Sequence, residues 1–180
     1  LLVPLAPHEL PAVRLLLDDE PMPAEGEDGS ALLDHSSLPK TEIIGPIPIG
    51  IRAVQRRLIA LRYLRKGHDT GRLDYRTSQA LLAFQGWEGL SRTGAATIDT
   101  RKRLNVAKVP VPRKATKAKR MEVTRFKGVL LLIQHGEVQR VVHVSTGAGG
   151  RTPRGTFGIY RKERMSWSNP FSVWLPWASY

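Results

Sequence analysis

The sequence predicts an α+β protein with two domains, a small three-helix domain followed by the first part of a mostly β sandwich. From residue 51 to residue 104, apolar side chains recur with the 3.6-residue period of amphipathic helices. From residue 121 onward they alternate or form short β-branched runs, which is typical of strands. A basic, proline-containing stretch without acidic residues separates the two patterns. The predicted division is a spacer at 1–48, a helical domain at 49–105, a linker at 106–120 and a β domain at 121–180.

Residues 1–48 are expected to form a disordered acidic spacer, because prolines, glycines and acids recur there without a hydrophobic period. Residues 1–46 hold nine acidic and two basic residues, a net charge of −7. Because the whole chain carries +12, residues 47–180 carry +19. A basic body of this kind attracts polyanions, whether nucleic acid, teichoic acids or an anionic envelope.

The first helix is expected to start at Ile51, with apolar residues at i, i+3, i+7 and i+10 up to Leu61. The glycine-containing segment 66–71 ends this helix and turns the chain. Either Asp74 or Thr77 can accept the free backbone amides at the start of a second helix. The buried face of that helix is formed by Ala80, Leu81 and Phe84.

Glycines are expected to end the second helix, at Gly86 and Gly89. After a turn, Thr100 is expected to cap a short third helix in which Leu104 is the apolar anchor. Three short helices with one apolar face each have to pack against one another to bury those faces.

The β domain is expected to open with an antiparallel sheet. Residues 121–126 alternate in polarity, residues 129–133 form a continuous apolar run, and residues 138–144 form a β-branched run. Residues 134–137 join the last two as a hairpin turn with glycine at its tip.

Residues 143–160 have the pattern of a strand, a wide basic turn and a second strand, with five glycines and no acidic residue. The segments Ser145-Thr146-Gly147 and Thr152-Pro153-Arg154-Gly155-Thr156-Phe157 resemble the signature loop of L,D-transpeptidases, the cysteine enzymes that cross-link bacterial peptidoglycan. The catalytic motif of that family is a His followed by Ser-His-Gly-Cys. It has no counterpart among these 180 residues, which contain no cysteine. We expect that motif beyond Tyr180.

Residues 51–104 resemble a second known unit, the small peptidoglycan-binding domain often attached to cell-wall enzymes. The matching positions are Val54-Gln55, Leu58, Leu61 to Leu64, Gly71 to Asp74, Thr77, Ala83 to Gln85, Gly89-Leu90, Gly94, Thr100 and Leu104. Most of these positions are apolar or glycine and are expected to form the core. Gln85 and Trp87, beside the glycines, are the residues that we assign to a peptidoglycan-binding groove.

The first resemblance implies a peptidoglycan L,D-transpeptidase that forms 3-to-3 cross-links in cell wall biogenesis and uses no cofactor. In that family a Cys thiolate attacks the carbonyl of the third stem-peptide residue and expels D-alanine, and an amine of another stem resolves the thioester. No residue of this chain is assigned a catalytic role, so we expect these residues alone to be inactive. The expected substrate contacts are Trp177 and Tyr180 in the aromatic C-terminal segment, and Arg154 in the signature loop.

Other chemistries are not predicted. The five histidines include no i, i+4 pair on a helix and have no cysteine partner, so no metal site is expected. His143 lies in an apolar strand and is expected to be a hydrogen-bonded core residue, not a base. Ser145, Ser166 and Ser168 lack the Gly-x-Ser-x-Gly elbow of hydrolases. The glycine-rich turn lacks the Lys-Ser/Thr pair of phosphate-binding loops.

The expected partners are peptidoglycan stem peptides and glycan, bound by a monomer outside the cytoplasmic membrane, in the cell wall or at the periplasmic face. No signal peptide is visible, and no apolar run reaches the length of about 18 residues that a membrane span requires. The linker, with six basic residues, is expected to be an extended, solvated tether. A nucleic-acid contact is the alternative for the linker, but it lacks the aromatic residues that stack on bases. A second hypothesis for the whole chain is a non-catalytic wall protein that only binds peptidoglycan.

Overall fold

The computed structural model of the chain describes residues 14–17, 50–147 and 151–180. The helices are α1 at Ile51–Ala60, α2 at Tyr75–Glu88 and α3 at Ile98–Val106. The strands are β1 at Arg14–Leu17, β2 at Arg120–Thr124, β3 at Val129–Gln134, β4 at Glu137–His143, β5 at Gly155–Gly158, β6 at Lys162–Ser168 and β7 at Val173–Ser179. Three helices followed by mostly antiparallel strands confirm the predicted α+β class.

Helix α2 begins where the sequence predicts. The side chain of Asp74 accepts hydrogen bonds from the backbone amide of Thr77 at 2.8 Å and from its hydroxyl at 2.6 Å. These bonds satisfy donors that the first turn of a helix leaves free. The helix continues through Gly86 and ends at Gly89, which has the left-handed conformation common at helix C-termini. The prediction that Gly86 breaks the helix is therefore wrong.

Helix α3 begins earlier than predicted. Thr97 is its cap, because its side chain accepts a hydrogen bond from the amide of Thr100 at 3.3 Å. Thr100 therefore lies inside the helix, and the prediction that it caps the helix is wrong. The apolar anchor Leu104 is confirmed, since its side chain is fully buried. Its companions in the helical core include Val54, Leu58, Leu81 and Phe84.

Two buried glutamines hold the loops between the helices in equivalent ways. Gln55 of α1 accepts a hydrogen bond from the amide of Gly71 at 2.7 Å and donates to the carbonyl of the next residue at 2.8 Å. Gln85 of α2 accepts from the amide of Gly94 at 2.9 Å and donates to the carbonyl of the next residue at 2.9 Å. Each side chain supplies hydrogen-bond partners to the backbone just ahead of the following helix. The two glutamines therefore fix the connections between the three helices.

Strands β2, β3 and β4 form an antiparallel meander. The β3–β4 turn consists of His135 and Gly136, with φ values of 55° and 83°. Positive φ at both positions is the requirement of a type I′ turn, which matches the twist of the strands that it joins. The predicted hairpin with glycine at its tip is confirmed.

Strand β1 was not predicted. Residues 14–17 lie in the segment expected to be disordered, yet they pair in parallel with β2 and antiparallel with β5. The resulting five-stranded sheet has the order β4-β3-β2-β1-β5, so a strand from early in the chain joins β2 to β5. The rest of the predicted spacer lies outside the described residues.

The helices and the five-stranded sheet share one hydrophobic core. Helix α2 packs on β4 and β3, and buried residues of the sheet form one cluster with the helical core, namely Val129, Leu131, Ile133, Val138 and Val141. The backbone amide of Val141 also donates to the carbonyl of Arg62, just after α1, at 3.0 Å.

The linker between the domains is held against the sheet. Arg120 and Glu122 of β2, 3% and 2% exposed, form an ion pair at 2.8 Å. Arg120 also donates to the linker carbonyl of Thr116 at 2.8 Å, and Glu122 accepts from the linker amide of Arg113 at 2.8 Å. The second half of the linker is therefore hydrogen-bonded to β2 and is not a free tether, although residues 113–119 remain exposed, as expected for a solvated segment.

Candidate functional site

The signature loop, residues 144–154, connects β4 at one edge of the sheet to β5 at the other edge. Residues 148–150 lie outside the described part of the chain. Within the described part, the amide of Gly147 donates to the hydroxyl of Thr152 at 2.8 Å, which ties the two limbs of the loop together.

A short turn beneath this loop holds it in place. The turn joins β2 to β3 and comprises residues 125–128, which we call the β2–β3 turn. The Arg125 side chain donates to the carbonyl of Thr152 at 2.8 Å, and the Arg125 carbonyl accepts from the hydroxyl of Thr146 at 3.4 Å. The carbonyl of Gly128 accepts from the amide of Val144 at 2.9 Å. Both limbs of the signature loop are thus bound to one turn.

Arg154, predicted to contact substrate, is exposed at the end of the signature loop, immediately before β5. The other predicted substrate contacts, Trp177 and Tyr180, lie together on or just after β7, in the two-stranded β6–β7 sheet. The structure therefore groups the two aromatic residues on one hairpin and places Arg154 just before the edge strand of the larger sheet.

Trp177 is 74% exposed and lies in a left-handed conformation with φ 57°. The guanidinium carbon of Arg164 is 5.7 Å from the centre of its ring, within the range of a cation–π contact. The open indole face and its neighbouring cation suit a ligand that combines an apolar or sugar surface with a carboxylate.

Tyr180 is more firmly held than Trp177. Its hydroxyl lies 2.5 Å from the hydroxyl of Ser166, and the guanidinium of Arg161 lies 4.4 Å from its ring centre. Its backbone amide donates to the carbonyl of Arg161 at 2.8 Å. The Ser166 hydroxyl is therefore hydrogen-bonded to a phenol.

A cavity of about 350 Å³ lies between the sheet and the hairpin. Its lining includes the apolar residues Met121, Leu132 and Ile159 and the cations Lys119 and Lys162. Trp177, Tyr180 and Arg154 do not line it. The predicted substrate contacts therefore belong to the exposed surface and not to this cavity.

Gln85, predicted to lie in a peptidoglycan-binding groove, has no exposed side-chain surface. Its amide nitrogen donates to the hydroxyl of Thr100 at 3.0 Å in addition to the loop contacts described above. The buried amide is thus satisfied within the domain, and the prediction that Gln85 contacts ligand is contradicted by its burial. Its role is to hold the loop before α3.

Trp87, the second predicted groove residue, is half-buried at the C-terminal end of α2. The ammonium of Lys127, from the β2–β3 turn, lies 4.4 Å from the centre of the indole ring. Trp87 therefore lies where the helical domain meets the sheet. It is the one predicted groove residue with accessible surface.

His143 lies at the end of β4 and pairs with the helical domain. Its Nδ1 is 2.9 Å from the Oε1 of Gln79 in α2, which requires a proton on Nδ1. Burial, followed by the positive charge of Arg92, lowers the pKa of His143 below its usual range. The expected hydrogen bond of His143 is present, but the residue is half-buried and does not belong to the buried core.

The contacts between the helical domain and the β2–β3 turn, through Gly86, Arg92 and Lys127, were not anticipated from the sequence. One signal pointed to them, because a glycine within an otherwise apolar helical pattern marks a close backbone approach when it does not end the helix.

In the part of the chain that the structure describes, no helix has the length and apolar character needed to cross a bilayer.

Comparisons with known proteins match both parts of the chain. The family model of the peptidoglycan binding domain matches residues 50–104. Among solved structures, the chain is similar to the crystal structure of an L,D-transpeptidase from Xylanimonas cellulosilytica DSM 15894, with a TM-score of 0.55, 26% identity and 69% coverage of each chain. No curated protein matches the chain. The architecture is therefore a peptidoglycan-binding domain joined to a β domain similar to that of an L,D-transpeptidase, which associates the chain with the cell wall.

Proposed function

We propose that the chain binds peptidoglycan through its helical domain and that its β domain serves L,D-transpeptidation in cell wall biogenesis. The observation that carries this proposal is that one fold combines the helical domain with the five-stranded sheet. A domain that matches the peptidoglycan-binding family packs, through a shared core, on a sheet similar to that of an L,D-transpeptidase. The signature loop connects the two edge strands of that sheet.

The proposed reaction is an acyl transfer in two steps. A thiolate attacks the carbonyl of the third stem-peptide residue, a thioester forms, and D-alanine leaves as the amine. The side-chain amine of a second stem then attacks the thioester, forms the 3-to-3 amide bond and releases the thiol. Because the 180 residues contain no cysteine, we assign them binding and positioning and assign the nucleophile to none of them.

The substrate contacts in this proposal are Arg154, Trp177 and Tyr180. The guanidinium of Arg154 pairs with a stem carboxylate, since arginine forms forked hydrogen bonds with carboxylates. The aromatic faces of Trp177 and Tyr180 contact sugar rings or the apolar parts of the stem. No cofactor is needed, and the site of action is the outer side of the cytoplasmic membrane, in the cell wall or at the periplasmic face.

Cosedimentation of the purified chain with isolated sacculi tests the binding half of the proposal. We expect the chain to pellet at physiological salt and to remain bound when duplex DNA is added in excess. Failure to pellet contradicts the proposal. Release by DNA with a steep dependence on salt also contradicts it, because that behaviour is typical of a protein that binds any polyanion.

A D-alanine release assay with tetrapeptide stems tests the assignment of the nucleophile. We expect no release from these 180 residues, because no thiolate is present to form the thioester. A measurable burst of D-alanine contradicts the assignment and requires another nucleophile within the chain.

The second candidate function is a wall protein that only binds, which the absence of cysteine from these residues favours. The two candidates differ in their contacts with the stem peptide. A transpeptidase domain is expected to bind soluble tetrapeptide, more weakly in the Arg154→Ala variant. A wall anchor is expected to bind glycan through the helical domain and not to bind the soluble tetrapeptide.

A further inference from the structure

The β2–β3 turn contacts the helical domain through backbone atoms. The side chain of Arg92, in the loop after α2, donates to the carbonyl of Phe126. The carbonyl of Lys127 lies against Gly86, in the last turn of α2. Because main-chain groups are rigid, these contacts set the position of the turn more tightly than side-chain packing alone does.

Gly86 is the residue that permits this approach. A Cβ at this position would overlap the carbonyl oxygen of Lys127 and lie 3.4 Å from its carbonyl carbon. A glycine within a helix is unfavourable relative to alanine, so its presence points to a requirement from the surroundings. Here the requirement is direct contact between α2 and the turn.

The same turn carries the signature loop on its other side. Arg125 binds Thr146 and Thr152, and Gly128 binds the amide of Val144, through the hydrogen bonds given above. The chain of contacts therefore runs from α2 to the turn and from the turn to both limbs of the loop. Each link is a backbone contact or a hydrogen bond. The helical side contacts Phe126 and Lys127 of the turn, and the loop side contacts Arg125 and Gly128.

We propose that Gly86 and Arg92 are positioning residues for the signature loop, and that they act on it through the β2–β3 turn. The helical domain then has a second role besides ligand binding, because it supports the loop geometry of the β domain. This role rests on the packing of the chain itself. The positioning role of Gly86 and Arg92 does not depend on whether the helical domain binds peptidoglycan.

Amide hydrogen exchange, measured by NMR on the full 180-residue chain, tests this proposal. The reporters are the amides of Val144 and Gly147, which are bonded within the loop contacts. The reference amides are Ser78 in α2, bonded to the Asp74 carbonyl, and Arg113 in the linker, bonded to Glu122. Local loosening of the loop raises exchange at the reporters alone, whereas global destabilisation raises it everywhere.

Two variants weaken the contact in different ways. Gly86→Ala places a methyl group against the turn, and Arg92→Ala removes the hydrogen bond to Phe126. Arg76→Ala is the matched control for the loss of a cation, since Arg76 lies in the first turn of α2 and contacts His68 instead. If Gly86→Ala does not fold, Arg92→Ala decides the outcome.

We expect exchange at Val144 and Gly147 to rise about tenfold in Arg92→Ala, with Ser78 and Arg113 unchanged, and no change at any of the four amides in Arg76→Ala. Unchanged exchange at Val144 and Gly147 in Arg92→Ala overturns the proposal. An equal rise at all four amides also overturns it, because the contact then contributes only to overall stability.

Discussion

The imidazole of His143 in β4 and the side-chain amide of Gln79 in α2 form a hydrogen bond, with Nδ1 and Oε1 separated by 2.9 Å. This bond joins the sheet to the helical domain. The backbone amide of Val141, also in β4, forms a second bond to the helical side, with the carbonyl of Arg62. Together with the shared core, these bonds make the junction between the two domains part of the folded structure and not a flexible connection.

The junction makes stability depend on pH. The pKa of His143 is lowered in the folded state from 6.5, so the unfolded chain binds the proton more readily. The folded state is therefore favoured above about pH 6.5 and loses stability as the pH falls from there toward the lowered pKa. We expect the Tm to fall between about pH 7.5 and pH 5.5. We expect His143→Gln to reduce the dependence of the Tm on pH, and an unchanged slope of Tm against pH in that variant contradicts the assignment.

The cap of α2 is expected to contribute to stability. Asp74→Ala removes the acceptor for both the amide and the hydroxyl of Thr77, so we expect a loss of about 1 kcal/mol in the free energy of unfolding. The hydrogen bonds from Thr77 also lower the pKa of Asp74, so this contribution disappears as the pH falls through that lowered pKa. Asp69→Ala, which breaks the exposed pair with Arg56, is the control and is expected to have the smaller effect in urea unfolding.

The ion pair of Arg120 and Glu122 is buried and is expected to behave unlike a surface pair. Glu122→Leu leaves a buried guanidinium without its partner, which typically costs about 3–5 kcal/mol. The double variant with Arg120→Met removes both charges and is expected to recover much of that loss. Urea unfolding measures both values. Additive losses in the double variant contradict this explanation, and Glu163→Leu at the exposed Arg161 pair provides the control.

The hydroxyl of Tyr63 is buried and has no hydrogen-bond partner among the described residues. Burial, with a smaller effect of the negative charge of Glu88, raises the pKa of Tyr63 above its usual range. Tyr63→Phe keeps the edge-on contact with Phe84, whose ring centre is 5.4 Å away. We expect the variant to be more stable by about 1 kcal/mol, since an unsatisfied buried hydroxyl is removed. Tyr75→Phe, at a residue that is 78% exposed, is expected to leave stability unchanged.

The helical domain was largely predictable because its signals are local. The apolar period from Ile51 to Leu104, the cap at Asp74 and the stop at Gly89 all act within a few residues of the chain. The same period also explains why Gln85 is buried. With Thr77 as position i, the buried residues of α2 at i+3, i+4 and i+7 are Ala80, Leu81 and Phe84, and Gln85 follows at i+8. Its polarity suggested a ligand contact, but its place in the period indicates burial.

The features that the sequence did not reveal depend on distant partners. A glycine occupies position 86 inside α2 because a side chain there would overlap the carbonyl of Lys127, about forty residues later in the chain. Residues 14–17 form a strand because β2 and β5, more than a hundred residues away, provide both sets of hydrogen-bond partners. A short segment in acidic, proline-rich surroundings carries no local signal for such pairing.

The most direct test of the central claim is an NMR titration of the ¹⁵N-labelled chain with a soluble peptidoglycan glycan fragment without stem peptides. The four tryptophans give four indole N–H signals that can be followed separately. If the helical domain binds glycan at Trp87, the signal of that residue shifts in a saturable way, while those of Trp167 and Trp174 stay in place. An unchanged Trp87 signal at saturating fragment, or equal shifts of all four signals, contradicts the account.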